Sequence, residues 1–490
     1  MAHALDDRRH FSHADWFAPR TARTVTSNVG IDGFDMLLIC IFLIGLYTHY
    51  TIALSDKVPF PSAPSGIAGV ILLWRQRHQI TEKAFIGYLL ILFLYVVSIL
   101  LAPDLTYLSR RLNGVIQLTY SITIGYGLFL TVVQARRSQI AGLFLFISVF
   151  ILIGCVLEDY TGLREISDRV RQVLYSKGIY DSDLRDMLLY NRVRPKFFAS
   201  EPASVTFCFS LFAFVWFVTS RWRLKLFLYV ALVGVGIFAM PGPTLTLMLV
   251  LILPYMLFLA SRKNGRLSVL RLFKVAIVAT FFLAAAVIVG QSAFHNRLQQ
   301  IENGNDPSFF YRVWGPTIAA REIMRDYPIT GAGITGEPFI EQRVIMIYAR
   351  SPAYSTAWRA VSPATELLIN YFWLHWIYLG IFFGVVIMAA LSSWLFVLGV
   401  PSVAFCWIVW AVLGQASGAY VGPTCWAVLF LTGAAAVLYD RVEPEAERGR
   451  KARITLRARL ERLRPPLRVE PHFAIGGANG RPGTDRRGPD

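Results

Sequence analysis

The residue types best suited to chemistry in this chain are arginines that collect in one long polar segment. Between positions 292 and 365 the sequence holds seven arginines, six acidic residues and no lysine. A guanidinium is a planar fork of donors that binds two phosphate oxygens at once and keeps its proton at physiological pH. An arginine-only set therefore predicts a phosphate or diphosphate ligand. The candidates for binding it are Arg312, Arg325, Arg343 and Arg359.

Paired surface charge is the alternative explanation for part of this set. Arg321 with Glu322, and Arg325 with Asp326, recur four residues apart on one predicted helix. Opposite charges that share a helix face in this way attract one another. Such pairing would account for Arg321 and Arg325 without any ligand. Arg312 lies outside that pattern and is the stronger candidate.

A second polar segment, 158–202, ends in a charged run that leads directly into an apolar stretch. Pro202 suits the first turn of a helix, and Glu201 before it would place a carboxylate at the positive end of the helix dipole. This position explains Glu201 structurally, and a role as general base is the alternative. Arg194 has no comparable structural explanation in the sequence, so it joins the diphosphate candidates together with Arg192.

The elements that position these residues are apolar. The chain of 490 residues is 55% hydrophobic and 16% charged, whereas an ordinary soluble domain is about 25% charged. This composition predicts an all-α, polytopic integral membrane protein, and it excludes a soluble enzyme, a secreted disulfide scaffold and a nucleic-acid-binding protein. The net charge of +17 is explained by basic loops at an anionic cytoplasmic surface. The five cysteines lie in or beside apolar stretches without a CxxC pair, which favours neither a metal site nor a disulfide framework.

A window of about 20 apolar residues, the length of a spanning helix, predicts about twelve transmembrane helices. The apolar stretches lie near 34–54, 61–74, 84–102, 113–134, 139–157, 203–219, 224–240, 243–260, 273–291, 377–398, 400–417 and 422–439. With the N-terminus in the cytoplasm, every inner loop is basic, as the positive-inside rule requires. The two long segments, 158–202 and 292–376, then face outward, and the even count returns the C-terminus to the cytoplasm. The stretch 366–398 is too long for one span, so its first part is expected to lie along the membrane interface.

The chain divides into three predicted regions: a cytoplasmic segment 1–33, a transmembrane domain 34–440 and a basic cytoplasmic tail 441–490. The first region lacks the short apolar core and cleavage site of a signal peptide. The tail carries thirteen Lys and Arg against seven Asp and Glu. Its stretch 446–464 is expected to form a basic helix at the inner leaflet, and its Gly/Pro-rich end to be disordered.

A glycine-rich turn follows the predicted helix in the second long segment. After Tyr327 and Pro328, glycines stand at positions 331, 333 and 336. Glycine-rich turns can present backbone amides to phosphate, but no predicted strand precedes this one and no Lys-Ser/Thr pair follows it. A tight turn is therefore the simpler interpretation.

The two long segments together resemble the superfamily of Wzy-type O-antigen polymerases and WaaL-type O-antigen ligases. These are bacterial inner-membrane glycosyltransferases that act on undecaprenyl-diphosphate-linked glycans. The polymerases carry R-x-x-G-x-F-x-E-P-S at the entry to a helix. Arg194, Glu201 and Pro202 match this motif in register, while Phe197 stands where glycine is usual and the final serine is displaced by one residue.

The second signature of the superfamily is an arginine, a tryptophan, about a dozen helical residues and then P-x-x-G-x-G. It is matched by Arg312, Trp314, Pro328, Gly331 and Gly333, with the arginine one residue further from the proline than usual. The resemblance covers roughly residues 34–440.

The histidine that the ligases carry is missing. Counting back from Gly380, Ile369 occupies its position beside Asn370, which favours a polymerase over a ligase. His375 lies six residues further on among aromatic residues. It is expected to be a helix-face histidine, with a functional role as the alternative.

The resemblance implies a GT-C-like, metal-independent glycosyltransferase of the bacterial inner membrane that needs no cofactor. A growing glycan would leave one undecaprenyl diphosphate and join the sugar of another lipid-linked repeat unit at the periplasmic face. A chain-length regulator and a flippase of the same pathway are its possible partners. The alternatives are a ligase that passes the glycan to lipid A or another acceptor, and a flippase or other transporter of lipid-linked oligosaccharide.

The resemblance also implies roles for particular residues. Arg194 and Arg312 would bind the diphosphate. Support would come from Arg192, Arg325, Arg343 or Arg359, and weaker candidates are Arg110 and Arg111, which break the positive-inside pattern.

A general base should take the proton of the acceptor hydroxyl. Glu201 is the first candidate for this role in the sequence. The carboxylates that come next are Glu158, Asp159 and Glu366.

Overall fold

A computed structural model describes residues 30–53, 59–175, 180, 183–242, 244–263, 266–267, 309–351 and 364–441, with seven further positions between 273 and 288. The N-terminal segment up to residue 29, most of the predicted span 273–291, Arg359 and the tail beyond 441 lie outside the described residues.

The described part of the chain is almost entirely helical. In chain order its helices are α1 Gly33–Thr48, α2 Ala63–Arg75, α3 Glu82–Leu100, α4 Leu108–Gln134, α5 Arg137–Tyr160, α6 Leu163–Leu174, α7 Asp183–Tyr190, α8 Pro202–Thr219, α9 Lys225–Ala239, α10 Thr244–Ala260, α11 Gly315–Asp326, α12 Glu337–Ala349, α13 Ala364–Leu367, α14 Tyr371–Val397, α15 Val403–Gly414 and α16 Pro423–Asp440. Two short antiparallel hairpins interrupt them, with β1 Ile52–Ala53 paired to β2 Pro59–Phe60 and β3 Arg262–Lys263 paired to β4 Arg266–Leu267.

Six of these helices are long and apolar enough to cross a membrane, judged by length and composition: α3, α4, α5, α8, α14 and α16. Five shorter apolar helices accompany them, namely α1, α2, α9, α10 and α15. Eleven of the twelve predicted apolar stretches thus contain an apolar helix, and the twelfth falls almost wholly outside the described residues. The prediction of an all-helical, multi-pass membrane protein is confirmed at this level.

The centre of the bundle is formed by α4, α8 and α16, whose side chains are mostly buried. Small residues allow close approach of neighbouring helices there, as is common between membrane helices. A Cβ on Gly69 of α2 would lie 2.5 Å from the Ile124 Cβ of α4, and a Cβ on Gly127 would lie 2.5 Å from the Gly69 carbonyl oxygen. Larger residues at either position would push α2 and α4 apart. In contrast, α3 exposes large apolar side chains such as Phe85 and Phe93, a composition that suits lipid.

The helix ends meet at two places. At one end of the bundle, which we call the loop end, His49, Ser204 and Thr424 bring together the ends of α1, α8 and α16. At the opposite end, Arg75 pairs with Asp32 and Asp35, and there the chain returns between helices in short connections. The polar helices α6 and α7 belong to the loop end, since they contact the segment that leads into α8.

Helix α14 is broken at Gly380, which has φ 64° and ψ −169°. The glycine-rich turn 328–336 supplies the hydrogen bonds that the break removes. Amides of Ala332 and Gly333 donate to the carbonyls of Ile377 and Tyr378, at 2.8 Å and 3.0 Å. In return, the amides at 381 and 382 donate to the Pro328 carbonyl, and the amide at 383 donates to that of residue 329. Irregular backbone inside a helical bundle is stable only when its polar groups are satisfied in this way.

Candidate functional site

The segment between α7 and α8 is held in an unusual backbone conformation. Seven described non-glycine residues have positive φ. Three of them, Asn191, Phe197 and Phe198, belong to this segment, and a fourth, His49, lies at the end of α1 that contacts it. Phe197 has φ 34°, a left-handed conformation that favours glycine. This explains why glycine is usual at that position of the motif. Strained backbone of this kind concentrates at functional sites and persists only where its surroundings enforce it.

Several buried hydrogen bonds enforce that conformation. The Glu158 carboxylate, at the end of α5, accepts from the amide of Lys196 at 3.0 Å and also from the amide of Phe197. The Tyr47 hydroxyl donates to the Phe197 carbonyl at 2.8 Å, and the Tyr175 hydroxyl donates to the Phe198 carbonyl at 2.9 Å. Glu158 was a candidate base in the sequence. Here its two oxygens are committed to the backbone, so its burial has a structural explanation.

Arg194 lies in the same segment and has a structural partner that the sequence did not reveal. Its Nε donates to the buried Asp186 carboxylate at 2.9 Å, and its guanidinium packs over the rings of Tyr180 and Tyr190. Burial lowers the pKa of Arg194, but Tyr190, Asp186 and Tyr180 outweigh it, and the net pKa is raised. The expectation that Arg194 lacks a structural role was wrong, because α7 folds back over the segment.

Beside this segment, the end of α5 and helices α6 and α7 enclose a surface cleft of about 680 Å³. Its lining is Glu158, Asp159, Tyr160, Thr161, Gly162, Arg164, Glu165, Asp168, Met187, Asn191, Arg192 and Val193. Two arginines share one aspartate in it: Arg164 Nη2 lies 2.9 Å and Arg192 Nη1 lies 3.5 Å from the two Asp159 carboxylate oxygens. About 30% of each guanidinium side chain is exposed, so both can reach a ligand in the cleft.

Arg164 was not among the sequence candidates, whereas Arg192 and Asp159 were. The signal was present, since Arg164 belongs to the long segment 158–202 that the sequence singled out. Residue type alone does not distinguish Arg164 from the other charged residues of that segment, because its pairing with Asp159 depends on the turn at Thr161 and Gly162. Arg192 also donates to the Phe238 carbonyl at the end of α9, which fixes its direction.

Glu201 and His49 both lie at the start of α8. Glu201 is the N-cap residue of that helix, as the sequence predicted, but its side chain makes no capping hydrogen bond. Its half-buried carboxylate interacts electrostatically with His49. The His49 ring bridges two helices, with Nε2 3.0 Å from the Thr424 hydroxyl and Nδ1 3.3 Å from the Ser204 hydroxyl. Among the four predicted carboxylates, Glu158 and Asp159 are thus committed to structural partners, whereas Glu201 is not.

In the second long segment, Arg312 lies in a π-helical turn, Phe310–Trp314, just before α11. Its Nη1 donates to the Ala416 carbonyl at 2.8 Å. Its backbone carbonyl accepts from the side-chain amide of Asn370 at 2.7 Å. Arg312 is half-buried between the start of α14 and the end of α15. These contacts connect the second signature to the bundle, and the guanidinium retains partial exposure.

The interpretation of the glycine-rich sequence as a tight turn is confirmed. Its amides at 332 and 333 are already bonded to α14, so they cannot cradle a phosphate. Arg111 is fully buried and donates to the carbonyls of Pro103, Asp104 and Ala332 at 2.6–2.8 Å. It fastens the turn to α4. Its departure from the positive-inside pattern therefore has a structural cause.

Glu337, which begins α12, was not singled out by the sequence. Only 6% of the residue is exposed, and its carboxylate accepts from the Tyr378 hydroxyl and lies 3.8 Å from Arg110 Nη2. Its Oε2 makes no hydrogen bond among the described residues. Burial raises the pKa of Glu337, more than the Tyr378 hydrogen bond and the Arg110 charge lower it. Arg110, about half exposed, is therefore paired with a carboxylate that is distant in sequence.

The predicted pairing along α11 is wrong. Its acidic residues face α12 instead: Arg343 Nη2 lies 2.7 Å from the Asp326 carboxylate, and Arg343 Nε lies 3.4 Å from that of Glu322. Arg325 points to solvent. The helix crossing of α11 and α12 decides this pairing, because i, i+1 neighbours on a helix do not face each other.

His375 and Glu366 complete the predicted residues. The His375 ring is buried, with Nδ1 3.0 Å from the Tyr420 hydroxyl and Nε2 3.0 Å from the Gly384 carbonyl. Both ring nitrogens are therefore used inside the bundle. Glu366 is exposed on the short helix α13, and Arg359 falls outside the described residues.

Within the described residues, no group of three or more His, Cys, Asp or Glu side chains is arranged to hold a metal ion. Comparison with protein-family models, with curated proteins and with solved structures found no match. The site is therefore interpreted from its own geometry.

Proposed function

We propose that this protein polymerises undecaprenyl-diphosphate-linked oligosaccharide repeat units into a longer polysaccharide. It would act as a metal-independent glycosyltransferase at the periplasmic face of a bacterial inner membrane, with a GT-C-like bundle of about twelve spans and both termini in the cytoplasm. The observation that carries the proposal is the charged cleft at the loop end of α5. It places two partly exposed arginines at the end of an apolar helix, where they could bind the diphosphate of a lipid carrier. The same lining holds the carboxylates of Glu158, Asp159, Glu165 and Asp168, with which a diphosphate would compete for the arginines.

The arrangement of Arg164, Arg192 and Asp159 suits a diphosphate for an electrostatic reason. One carboxylate holds two guanidinium groups in place while leaving about a third of each accessible. A diphosphate carries more charge and more acceptor oxygens than a carboxylate, so it can take up the donors that Asp159 leaves unused. Preorganised donors of this kind stabilise charge that develops on a leaving group. Arg312 is the corresponding candidate from the second long segment.

The general base in this proposal is Glu201. Its carboxylate makes no hydrogen bond or ion pair with another described residue, which leaves it available to an acceptor hydroxyl. The remaining predicted carboxylates are less suitable. Glu158 is bonded to two amides, Asp159 holds two arginines, and Glu366 lies on a separate short helix.

Transport of the lipid-linked unit is the competing function, and the buried charges of the bundle weigh against it. Arg111 and Arg137 are buried in apolar helices, and both donate to several backbone carbonyls. Side chains fastened in this way hold helices together. A transport pathway needs charges that face a water-filled cavity. Ligation is disfavoured because Ile369 occupies the position of the ligase histidine.

The test compares the two arginines of the cleft with an exposed arginine of α6 in the native host. The gene is deleted and complemented with wild type, with Arg164→Ala plus Arg192→Ala, or with the matched control Arg169→Ala. Arg169 lies one turn from Arg164 on α6, and its side chain is 80% exposed in a surface pair with Glu165. Membrane abundance is measured for each variant, and glycan length is measured on the finished acceptor and on the carrier lipid.

We expect wild type and Arg169→Ala to restore long chains, and the double variant to give single repeat units. Because the double variant leaves the Asp159 carboxylate, 9% exposed, without either arginine partner, Asp159→Asn is added to restore its abundance. Long chains accumulating on the carrier lipid in the deletion strain would identify a ligase. Repeat units confined to the cytoplasmic leaflet would identify a flippase. Long chains from the double variant at normal abundance would remove the cleft from the proposal.

A further inference from the structure

Glu337 is a buried carboxylate that uses only one of its two oxygens. It begins α12, and only 8% of its side chain is exposed. Its Oε1 accepts from the Tyr378 hydroxyl, whereas its Oε2 makes no hydrogen bond among the described residues. Buried polar atoms are nearly always hydrogen-bonded, and an exception needs a cause such as a bound group or a functional role. Glu337 therefore has acceptor capacity that the described part of the chain does not use.

Arg110 is the charged neighbour of that oxygen. Its Nη2 lies 3.8 Å from the Glu337 Oε2, which is too far for a hydrogen bond. Its Nε donates to the Thr335 carbonyl at 3.1 Å, and the Thr335 hydroxyl donates to the Arg110 carbonyl at 3.1 Å. These two bonds hold the guanidinium beside the carboxylate, while 49% of the Arg110 side chain remains exposed. A donor and an acceptor thus lie side by side, and a ligand reaches them along the exposed part of Arg110.

One hydroxyl group can bond to both atoms. Its oxygen can lie about 2.8 Å from each of them, the usual length of such a hydrogen bond. The hydroxyl then donates its hydrogen to Oε2 and accepts one from the guanidinium. A deprotonated phosphate cannot replace it, because it has no hydrogen to donate to Glu337. Burial raises the pKa of Glu337, and a hydroxyl that donates to Oε2 opposes that rise by stabilising the charged form.

The pair lies at the loop end of the bundle. The Tyr378 ring packs against the Tyr420 ring at a centroid distance of 5.8 Å, and Tyr420 comes four residues before Thr424, which belongs to that end. The Tyr378 carbonyl also accepts from the Gly333 amide of the glycine-rich turn at 3.0 Å. The pair is therefore held by α4, α12, α14 and that turn. This is the end at which the proposed glycan substrate, whose sugars carry many hydroxyl groups, would be bound.

We propose that Arg110 and Glu337 form a subsite that binds a hydroxyl group of the glycan substrate. The identification of the ligand as a glycan rests on the proposed function. The subsite belongs to α4 and the second long segment, whereas the cleft around Asp159 belongs to the first one. No covalent bond forms or breaks at the subsite. Its contribution is to hold the repeat unit, so it acts on the affinity for the glycan and not on the maximal rate.

The test replaces the acceptor oxygen by a donor of the same shape. In Glu337→Gln the amide oxygen still accepts from Tyr378, while the amide nitrogen takes the place of Oε2 and cannot accept the hydroxyl hydrogen. The matched control is Glu82→Gln, because Glu82 is also the first residue of a helix but is exposed at the opposite end of the bundle. The probe is the oligosaccharide released by mild acid from the carrier lipid of the deletion strain. Its Kd for each purified protein is measured by calorimetry, together with the unfolding temperature.

We expect Glu337→Gln to bind the oligosaccharide about 10- to 100-fold more weakly than wild type, the range for one hydrogen bond to a charged group. Glu82→Gln should bind it as wild type does. When intact lipid-linked units are extended, Glu337→Gln should raise KM and leave kcat nearly unchanged, because the lost contact is present both before and during the reaction.

A second pair of variants keeps the test valid if the loss of one charge disturbs folding. Arg110→Gln removes the donor but leaves the buried Glu337 carboxylate without its charged neighbour. The double variant Arg110→Gln plus Glu337→Gln removes both charges. We expect its Kd to be no weaker than that of the more damaging single variant, because the two residues hold the same hydroxyl group. Strictly additive losses would contradict a shared ligand.

The subsite and the proposed function fail in different ways. If wild type extends the lipid-linked units while Glu337→Gln keeps the wild-type Kd and KM, Oε2 binds water only and the subsite is wrong, but the proposed function stands. If wild type binds the oligosaccharide through Glu337 and extends nothing, the subsite stands and the proposed function is wrong. Absence of binding to wild type overturns the subsite. A changed unfolding temperature of Glu337→Gln with an unchanged Kd also overturns it, because the pair would then contribute to stability alone.

Discussion

Gly331 and Gly380 lie against each other so closely that neither can carry a side chain. A Cβ on Gly331 would be 2.6 Å from the Gly380 nitrogen, and a Cβ on Gly380 would be 2.7 Å from the Gly331 nitrogen. Both residues also have positive φ, 59° and 64°. This pair fastens the outer turn of the second long segment to the break in α14, and each half supplies the hydrogen bonds that the other lacks.

Substitution of either glycine should therefore destabilise the protein. The left-handed conformation alone costs an alanine about 1–2 kcal/mol, and displacement of the turn would unpair backbone groups of α14 as well. We expect Gly331→Ala and Gly380→Ala each to lower the unfolding temperature in detergent. We expect the double variant to be no worse than the more damaging single one, because both break the same contact.

The control for this pair is Gly142→Ala in α5, where a Cβ would meet nothing within 4 Å. That change should leave the unfolding temperature unchanged or raise it slightly, since alanine favours a helix. Equal effects of Gly142→Ala and Gly331→Ala would contradict the close contact. Strictly additive losses in the double variant would contradict the coupling.

Arg194 and Asp186 form a second coupled pair. Asp186 is fully buried, so removing the Arg194 side chain leaves a carboxylate with two neutral partners, the Tyr180 hydroxyl and the backbone amide of residue 194. Breaking one side of a buried pair costs about 3–5 kcal/mol. We expect Arg194→Ala to lower membrane abundance and unfolding temperature, and added Asp186→Asn to restore both.

The same double variant tests whether Arg194 contributes to catalysis. We expect it to produce long glycan chains once its abundance is restored, since the structural duty of Arg194 is then removed. If a stable, abundant double variant gives only single repeat units, Arg194 contributes to binding the diphosphate. The contrast is with Arg164→Ala plus Arg192→Ala, which should stay inactive even when Asp159→Asn removes the carboxylate that the two arginines neutralise.

Phe197 and Gly154 should also show compensating substitutions. A Cβ on Gly154 would lie 2.1 Å from the Phe197 ring, so Gly154→Ala should displace the ring and disturb the strained segment. Phe197→Gly would suit the left-handed backbone and make room for the alanine. We expect Gly154→Ala to lower glycan length and unfolding temperature, and Phe197→Gly to suppress part of both losses. If Phe197→Gly makes Gly154→Ala worse, the packing argument fails.

Glu337 should make stability depend on pH. Because burial raises its folded-state pKa above the unfolded value, its contribution to stability is fully present below the unfolded pKa and is lost as pH rises through the folded one. We therefore expect the difference in unfolding temperature, Glu337→Gln minus wild type, to increase as pH rises from about 4, near the usual glutamate pKa, to neutrality. Glu366→Gln, at an exposed position, is the control for the chemical change itself. Parallel curves for wild type and Glu337→Gln would refute the assignment.

Many residues of the candidate site could be predicted from the sequence, but the pairs that they form could not. Asp159, Arg192 and Glu201 were identified from residue type and position. Arg164 was not, although its partner Asp159 lies only five residues earlier. His49 was not, because Ser204 and Thr424 reach it from positions more than 150 residues away. Arg343 and Asp326 belong to neighbouring helices, and only the way those helices pack brings them together.

The sequence by itself determined the apolar helices, the two long polar segments and the start of α8 at Pro202. These features depend on local causes, since apolar length, proline position and loop polarity act within about twenty residues. The tertiary structure alone decided that Asp186 neutralises Arg194, that Arg111 holds the turn at Ala332, and that α14 breaks at Gly380. The first outcome depends on how α7 folds back over the eight residues that follow Asp186, and the other two require segments distant in the chain to meet. A buried polar group takes whichever partner the packing brings within hydrogen-bond reach.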